Sequence, residues 1–182
     1  MEIHIAEGAN FIVNGAIIAD GNLENGIGFK GLVDQEAWGA ITLLNTSDTS
    51  VFNFVTIIDA SLGSIPTRDK GALSLFKANV KLNHLNITEV HNNPIFSQYS
   101  WVSMDNSILQ SKITGDLINV KYGNAFIQNT TFVGNSNLIW MVLIMMKLMK
   151  ERLRIVIFMI LWDPIAMLLI LQKAVKTLKL TA

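Results

Sequence analysis

The chain has 182 residues, enough for one sizeable core, and its 14 basic residues balance 14 acidic ones. With no net charge there is no global field to draw nucleic acid or an anionic membrane to its surface, and the absence of cysteine excludes disulfides and thiol catalysis. The averages hide a break, because six of the eight methionines follow residue 140 and the last 45 residues are far more apolar than what precedes them.

Residues 1–6, Met-Glu-Ile-His-Ile-Ala, carry neither a basic n-region nor a long apolar h-region, so no signal peptide is expected there. The expectation is a chain that starts inside a longer protein. From residue 7 to 31, apolar residues alternate at Phe11, Val13, Ala16 and Ile18, then at Ile27 and Phe29. Gly8, Gly15, Gly21, Gly26 and Gly28 punctuate them as turns. Residues 1–35 are therefore read as the short first coils that close the end of a solenoid. Further on, Ser50, Phe52, Val55 and Ile57 form a template that recurs 30 residues later as Val80, Leu82, Leu85 and Ile87. The extra length falls in residues 62–71, where Pro66 and Gly71 suit an exposed loop.

The strongest signal lies in residues 72–137. Val80, Leu82, Leu85 and Ile87 recur about 22 residues on as Val102, Met104, Ser107 and Leu109, and again as Ala125, Ile127, Thr130 and Phe132. An earlier pair keeps the same step: Leu73 and Leu75, Ile95 and Ser97, Ile118 and Val120. A fixed period this short implies stacked repeats. Within each copy the alternation has period two, as in Val80-Lys81-Leu82, which predicts short strands. The polar pairs Asn83-His84, Asp105-Asn106 and Gln128-Asn129 break the runs, and Asn tolerates the positive φ of a sharp bend. Each copy thus reads as strand, corner, strand, loop, strand. Stacked in parallel about 4.8 Å apart, the copies place Leu82, Met104 and Ile127 in one inward column, each buried aliphatic contributing roughly 1.5–3 kcal/mol. Roughly 98% of parallel crossovers are right-handed. The predicted fold is all-β, a right-handed parallel β-helix with repeat coils over residues 36–137. An antiparallel sandwich is the competing fold, but its hairpins call for two-residue Gly turns and Gly is scarce between residues 72 and 114.

The stretch GANFIVNGAIIADG, then IGF, WGAI and VTIIDAS, resembles the opening of bacterial right-handed β-helix repeat proteins of the broad pectin-lyase-like group, over about residues 3–137. The resemblance implies an extracellular or cell-surface location and further coils or companion domains outside this stretch. Polysaccharide-cleaving members of the group use Asp clusters for calcium and an Arg or Lys base. The sequence offers no matching cluster, so no catalytic residue, metal ligand or cofactor is assigned.

Residues 138–182 abandon the repeat. Ile155–Leu171 approaches the lower length limit of a membrane span, yet Asp163-Pro164 sits in its middle, where a charge is costly and proline removes a hydrogen bond. The tail is expected to be apolar and helical if ordered. A frameshift accounts for it better than a membrane anchor. Methionine and tryptophan have one codon each, so the neighbouring frame is forced in places. Trp140-Met141, Met145-Met146 and Met159-Ile160 give Asp there, Met141-Val142 and Trp162-Asp163 give Gly, and Met146-Lys147 and Met149-Lys150 give Glu. The remaining codons allow that frame to run without a stop and to resume the alternation.

Candidate sites are few. Tyr99, Trp101 and Tyr122 flank the strands, and flat aromatic faces stack well on sugar rings, so these three are the candidate carbohydrate contacts. His84 and His91, with Asp105 and Asp116 in the next coil, lack a metal-ligand pattern. Asp59, Arg68, Asp69 and Lys70 read as a solvated charge run. Asn45-Thr46-Ser47, Asn86-Ile87-Thr88 and Asn129-Thr130-Thr131 are sequons best read as solvent-facing turns. The expected role is a non-catalytic structural or polysaccharide-binding module. The alternatives are a polysaccharide lyase or hydrolase fragment and a tail-anchored membrane protein. The frameshift carries its own test: resequencing the locus is expected to show a single-base insertion or deletion near codon 138, and an intact frame in every read refutes it.

Overall fold

The computed structural model describes residues 1–34, 36–113, 115–134 and 143–145. Three parallel sheets run along one axis. Sheet 1 stacks β1 (Glu2–Ile5), β4 (Ile27–Gly31), β7 (Val55–Ile58), β10 (Asn86–Val90), β13 (Ile108–Ser111) and β16 (Thr131–Val133). Sheet 2 stacks β2 (Phe11–Val13), β5 (Ile41–Leu44), β8 (Gly71–Phe76), β11 (Asn93–Gln98), β14 (Ile118–Lys121) and β17 (Leu143–Met145). Sheet 3 stacks β3 (Ile18–Asp20), β6 (Thr49–Asn53), β9 (Asn79–Asn83), β12 (Trp101–Asp105) and β15 (Asn124–Ile127). Each strand from β1 to β14 pairs with the strand three places on, always in parallel, which is the signature of a solenoid and incompatible with a sandwich of hairpins.

The repeat read from the sequence is the register of this solenoid. Leu82 lies opposite Met104, Met104 opposite Ile127, and Phe52 opposite Leu82. Ile57, Ile87, Leu109 and Phe132 form the matching column of sheet 1. Leu73, Ile95 and Ile118 form that of sheet 2, with Leu75, Ser97 and Val120 beside them. Phe52, Ile57, Ile87, Leu73, Ile95 and Met104 have no solvent exposure. Trp38, the largest fully buried side chain, donates its indole N–H to the Ile58 carbonyl at 2.7 Å and closes the junction between sheets 1 and 2.

The corners explain the polar positions of the template. The residues after sheet 3, Phe54, His84, Asn106 and Asn129, all have φ between 47° and 50°. Those after sheet 2, Asn45, Lys77, Tyr99 and Tyr122, span 49° to 54°. At such a bend the N–H still reaches the coil above: Lys77 donates to the Gln98 carbonyl at 3.0 Å and Tyr99 to that of Lys121 at 2.9 Å. The next N–H along has no carbonyl in reach. Ala78 donates instead to Ser100 Oγ at 3.0 Å, and Leu85 to Ser107 Oγ at 3.1 Å. Each hydroxyl then donates to the carbonyl two residues before its own. Ser107 therefore stands on the Leu85 position because a buried donor beneath it needs an acceptor.

Four sequence expectations are corrected. Ile18 is 65% exposed; its neighbour Ala19 faces the core, because pairing with β6 sets Ala19 on the bulky Phe52. Gly28 is no turn but lies within β4. Gly71 is no exposed loop residue either. It is the buried first residue of β8, where a Cβ would meet the Phe96 nitrogen at 2.6 Å. In the long loop before it, Asp69 is wholly buried rather than solvated. It pairs with Arg68 (Nη2 to Oδ2, 2.8 Å), and its backbone bonds Gly63 and Ile65.

The expectations for the tail, its helical character, its frameshift origin and its membrane reading, fall on residues outside those described, apart from Leu143–Met145, whose backbone pairs in parallel with β14.

The tightest backbone contact follows Tyr122. A Cβ at Gly123 would stand 2.1 Å from the Ser100 carbonyl oxygen and 2.9 Å from its nitrogen. Gly123→Ala must push coils four and five apart, and the expected destabilisation is about 1–3 kcal/mol, read as a lower urea midpoint in equilibrium unfolding.

Candidate functional site

Identical corner geometry in successive coils piles side chains on one another, and the corner between sheets 2 and 3 carries the two exposed tyrosines. Tyr99 follows β11 and Tyr122 follows β14, at equivalent positions one coil apart. Their rings stack at 5.0 Å between centroids and 15° between planes. Phe76, at the end of β8, meets Tyr99 edge to face at 5.9 Å and 85°. Lys77 reaches over the Phe76 ring, 5.5 Å from its centroid. Tyr99 is 52% exposed and Tyr122 57%.

Trp101 opens β12, two residues beyond Tyr99, and is 36% exposed. It lies opposite Asn79 on one side and Asn124 on the other, and its backbone N–H donates to Asn79 Oδ1 at 3.2 Å. Among the described residues it makes no ring contact with the tyrosines. The three sequence candidates are thus brought to one corner, but only two of them touch. The tyrosines spend one face each on the other, while Trp101, 36% exposed, spends none on them. Phe76 and Lys77 were missed by sequence reasoning. The signal was available, since Lys77, Tyr99 and Tyr122 keep the repeat step, but the template was drawn on buried positions.

The other titratable groups do not converge. His84 stacks on Phe54 at 4.3 Å and 7°. Asp116 accepts from Asn119 Nδ2 at 2.6 Å. At the junction of sheets 1 and 2, Lys112 bridges Glu89 at 3.1 Å and Asp59 at 3.4 Å, and His91 stands 4.0 Å from Asp59. The hydrogen bond that Lys112 donates to Glu89 is the main reason its ammonium pKa is raised. No group of three or more His, Asp or Glu among the described residues could hold a metal ion. Of the sequons, Asn45 and Asn129 sit at exposed corners, while Asn86 starts strand β10 and is half-buried.

Asp105 anchors the opposite corner, accepting from Gln128 at 2.8 Å and Asn129 at 2.9 Å. These bonds, Gln128 first, hold its carboxyl below the usual carboxylate range. A carboxyl depressed on folding stabilises the fold above its unfolded pKa of about 3.9 and loses that contribution as pH falls through the folded value. Asp105→Asn is therefore expected to lower the melting temperature at neutral pH, with the gap to the parent closing below about pH 4 in thermal scans across pH.

No known family model matches this sequence, and neither the curated proteins nor the solved structures give a match.

Proposed function

We propose that the chain is a non-catalytic β-helix module of a secreted or surface protein of pectin-lyase-like type, and that its aromatic corner contacts polysaccharide. The observation that carries this reading is the clustering of Trp101, Tyr99 and Tyr122, all solvent-accessible, along one edge parallel to the solenoid axis. An exposed corner could be turned by Asn, as at Asn45 in the same series. Left-handed backbone costs a residue with a Cβ roughly 1–2 kcal/mol, and Asn relieves part of it by local hydrogen bonding. Large apolar rings held there gain from stacking, and both remain more than half exposed to a ligand. In this reading Trp101 supplies the apolar face for a sugar ring, the phenol hydroxyls bond sugar hydroxyls, and Asn79 and Asn124 flank the contact.

Affinity electrophoresis through gels containing neutral or uronic-acid polysaccharides tests the proposal. The parent chain is expected to be retarded by at least one of them. Trp101→Ala should weaken the retardation about tenfold, the equivalent of roughly 1.4 kcal/mol, with an unchanged circular dichroism spectrum. Migration unaffected by every polysaccharide refutes binding, and release of new reducing or unsaturated ends would place the protein among enzymes instead.

A further inference from the structure

The chain contains two tyrosines in all, and both stand at the same corner position of consecutive coils, stacked on each other and open to solvent. We propose that Tyr99 and Tyr122 form an oxidative cross-linking site, joined as dityrosine by a haem peroxidase using hydrogen peroxide.

Each phenol gives one electron and one proton to the peroxidase. The two phenoxyl radicals couple through ring carbons ortho to oxygen, forming one C–C bond. The hydrogens on those carbons move to the oxygens as the rings regain aromaticity. The sum is two tyrosines and one hydrogen peroxide giving one dityrosine and two water molecules. The net change in the polypeptide is two ortho C–H bonds lost and one C–C bond gained.

The geometry favours coupling within the molecule. The pairing of β11 with β14 is continuous from Ile95–Ile118 to Gln98–Lys121, immediately before the two tyrosines. It holds the rings 5.0 Å apart and 15° from parallel, so the second radical is met at a very high effective concentration. Both residues are more than half exposed, which opens them to the oxidant. The chain has no cysteine to divert the radical. The link would tie coil four to coil five beside Gly123 and close a loop of the unfolded chain, as a disulfide does elsewhere.

The experiment treats the full chain with a haem peroxidase and hydrogen peroxide at several protein concentrations. The expected product is a monomer lighter by two hydrogens, with dityrosine fluorescence and a yield independent of protein concentration. Trypsin should then release peptide 82–112 covalently joined to peptide 122–147. Prior unfolding in urea should lower the monomeric yield, and Tyr122→Phe, which keeps a ring in the stack, should abolish it. Dityrosine found only in covalent dimers and larger species, or a monomer with both tyrosines unmodified, overturns the proposal. Neither result bears on glycan retardation, which is read separately.

Discussion

Parallel strands in register leave no freedom in what lies above what. Successive coils rise by about 4.8 Å, and each residue must meet its own counterpart in the next turn. Ile57, Ile87 and Leu109 fill one interior column because each needs apolar neighbours on both sides, and nothing else in the cross-section can reach them. Volume has to match as well. Phe52 occupies the room that Ala19 leaves beneath it and passes to Leu82 above. Charges obey the same rule: Lys112 stands between Glu89 and Asp59, three coils joined by one ammonium. Glu89 stands one coil above Asp59, two like charges at equivalent positions that the Lys112 ammonium holds together, and elsewhere an amide offsets the charge, as where Asn53 donates to Asp20.

Turning the chain three times per coil is the cost of this arrangement. Corners hold residues in left-handed backbone and leave a following amide without a carbonyl. The conformational part is offset by stacking of ring on ring, as at His84 on Phe54 and Tyr122 on Tyr99. The hydrogen-bonding part is met by serine. Ser100 and Ser107 are both almost fully buried, and each uses its hydroxyl as acceptor for the coil below and donor within its own coil. An apolar side chain at either position would bury an unpaired N–H, a loss of about 1–3 kcal/mol.

Much of this architecture was legible in the sequence because interior positions repeat. The match of Val80, Leu82, Leu85 and Ile87 to later copies is the pairing register itself, and the Asn-bearing corners follow from one residue's tolerance of positive φ. The reading fails where the phase of alternation is lost across a bend, or where a neighbouring strand or loop overrides a residue's local look. Taking Ala16 and Ile18 as inward breaks the phase that Phe11 and Val13 set, whereas the inward positions run on unbroken at period two through Ile17 to Ala19. Gly71 and Gly28 look like turn residues locally, but close neighbouring backbone or a strand register places them in sheets. Asp69 reads as a surface charge, and only the closure of its loop around the carboxylate buries it. The aromatic candidates were visible as residue types; their stacking required knowing that corners, like strands, are superposed coil on coil.

The three corners differ in how much length they absorb, and this sorts the surface by stiffness. Between sheets 1 and 2 the connections vary from residues 91–92 to residues 59–70. Doubling a flexible loop costs only about 0.6 kcal/mol, and the longest one is further closed by the buried Asp69. Between sheets 2 and 3 the links are residues 77–78, 99–100 and 122–123 in three successive coils. A two-residue link has no slack, so side chains on it inherit the pitch of the strands. Lys77, Tyr99 and Tyr122 are therefore spaced by the backbone rather than by their own packing. A ligand or a chemical step that needs a fixed distance between neighbouring rings finds it at this edge, whereas the wide loops beside sheet 1 can change length and sequence without disturbing the coils that carry them.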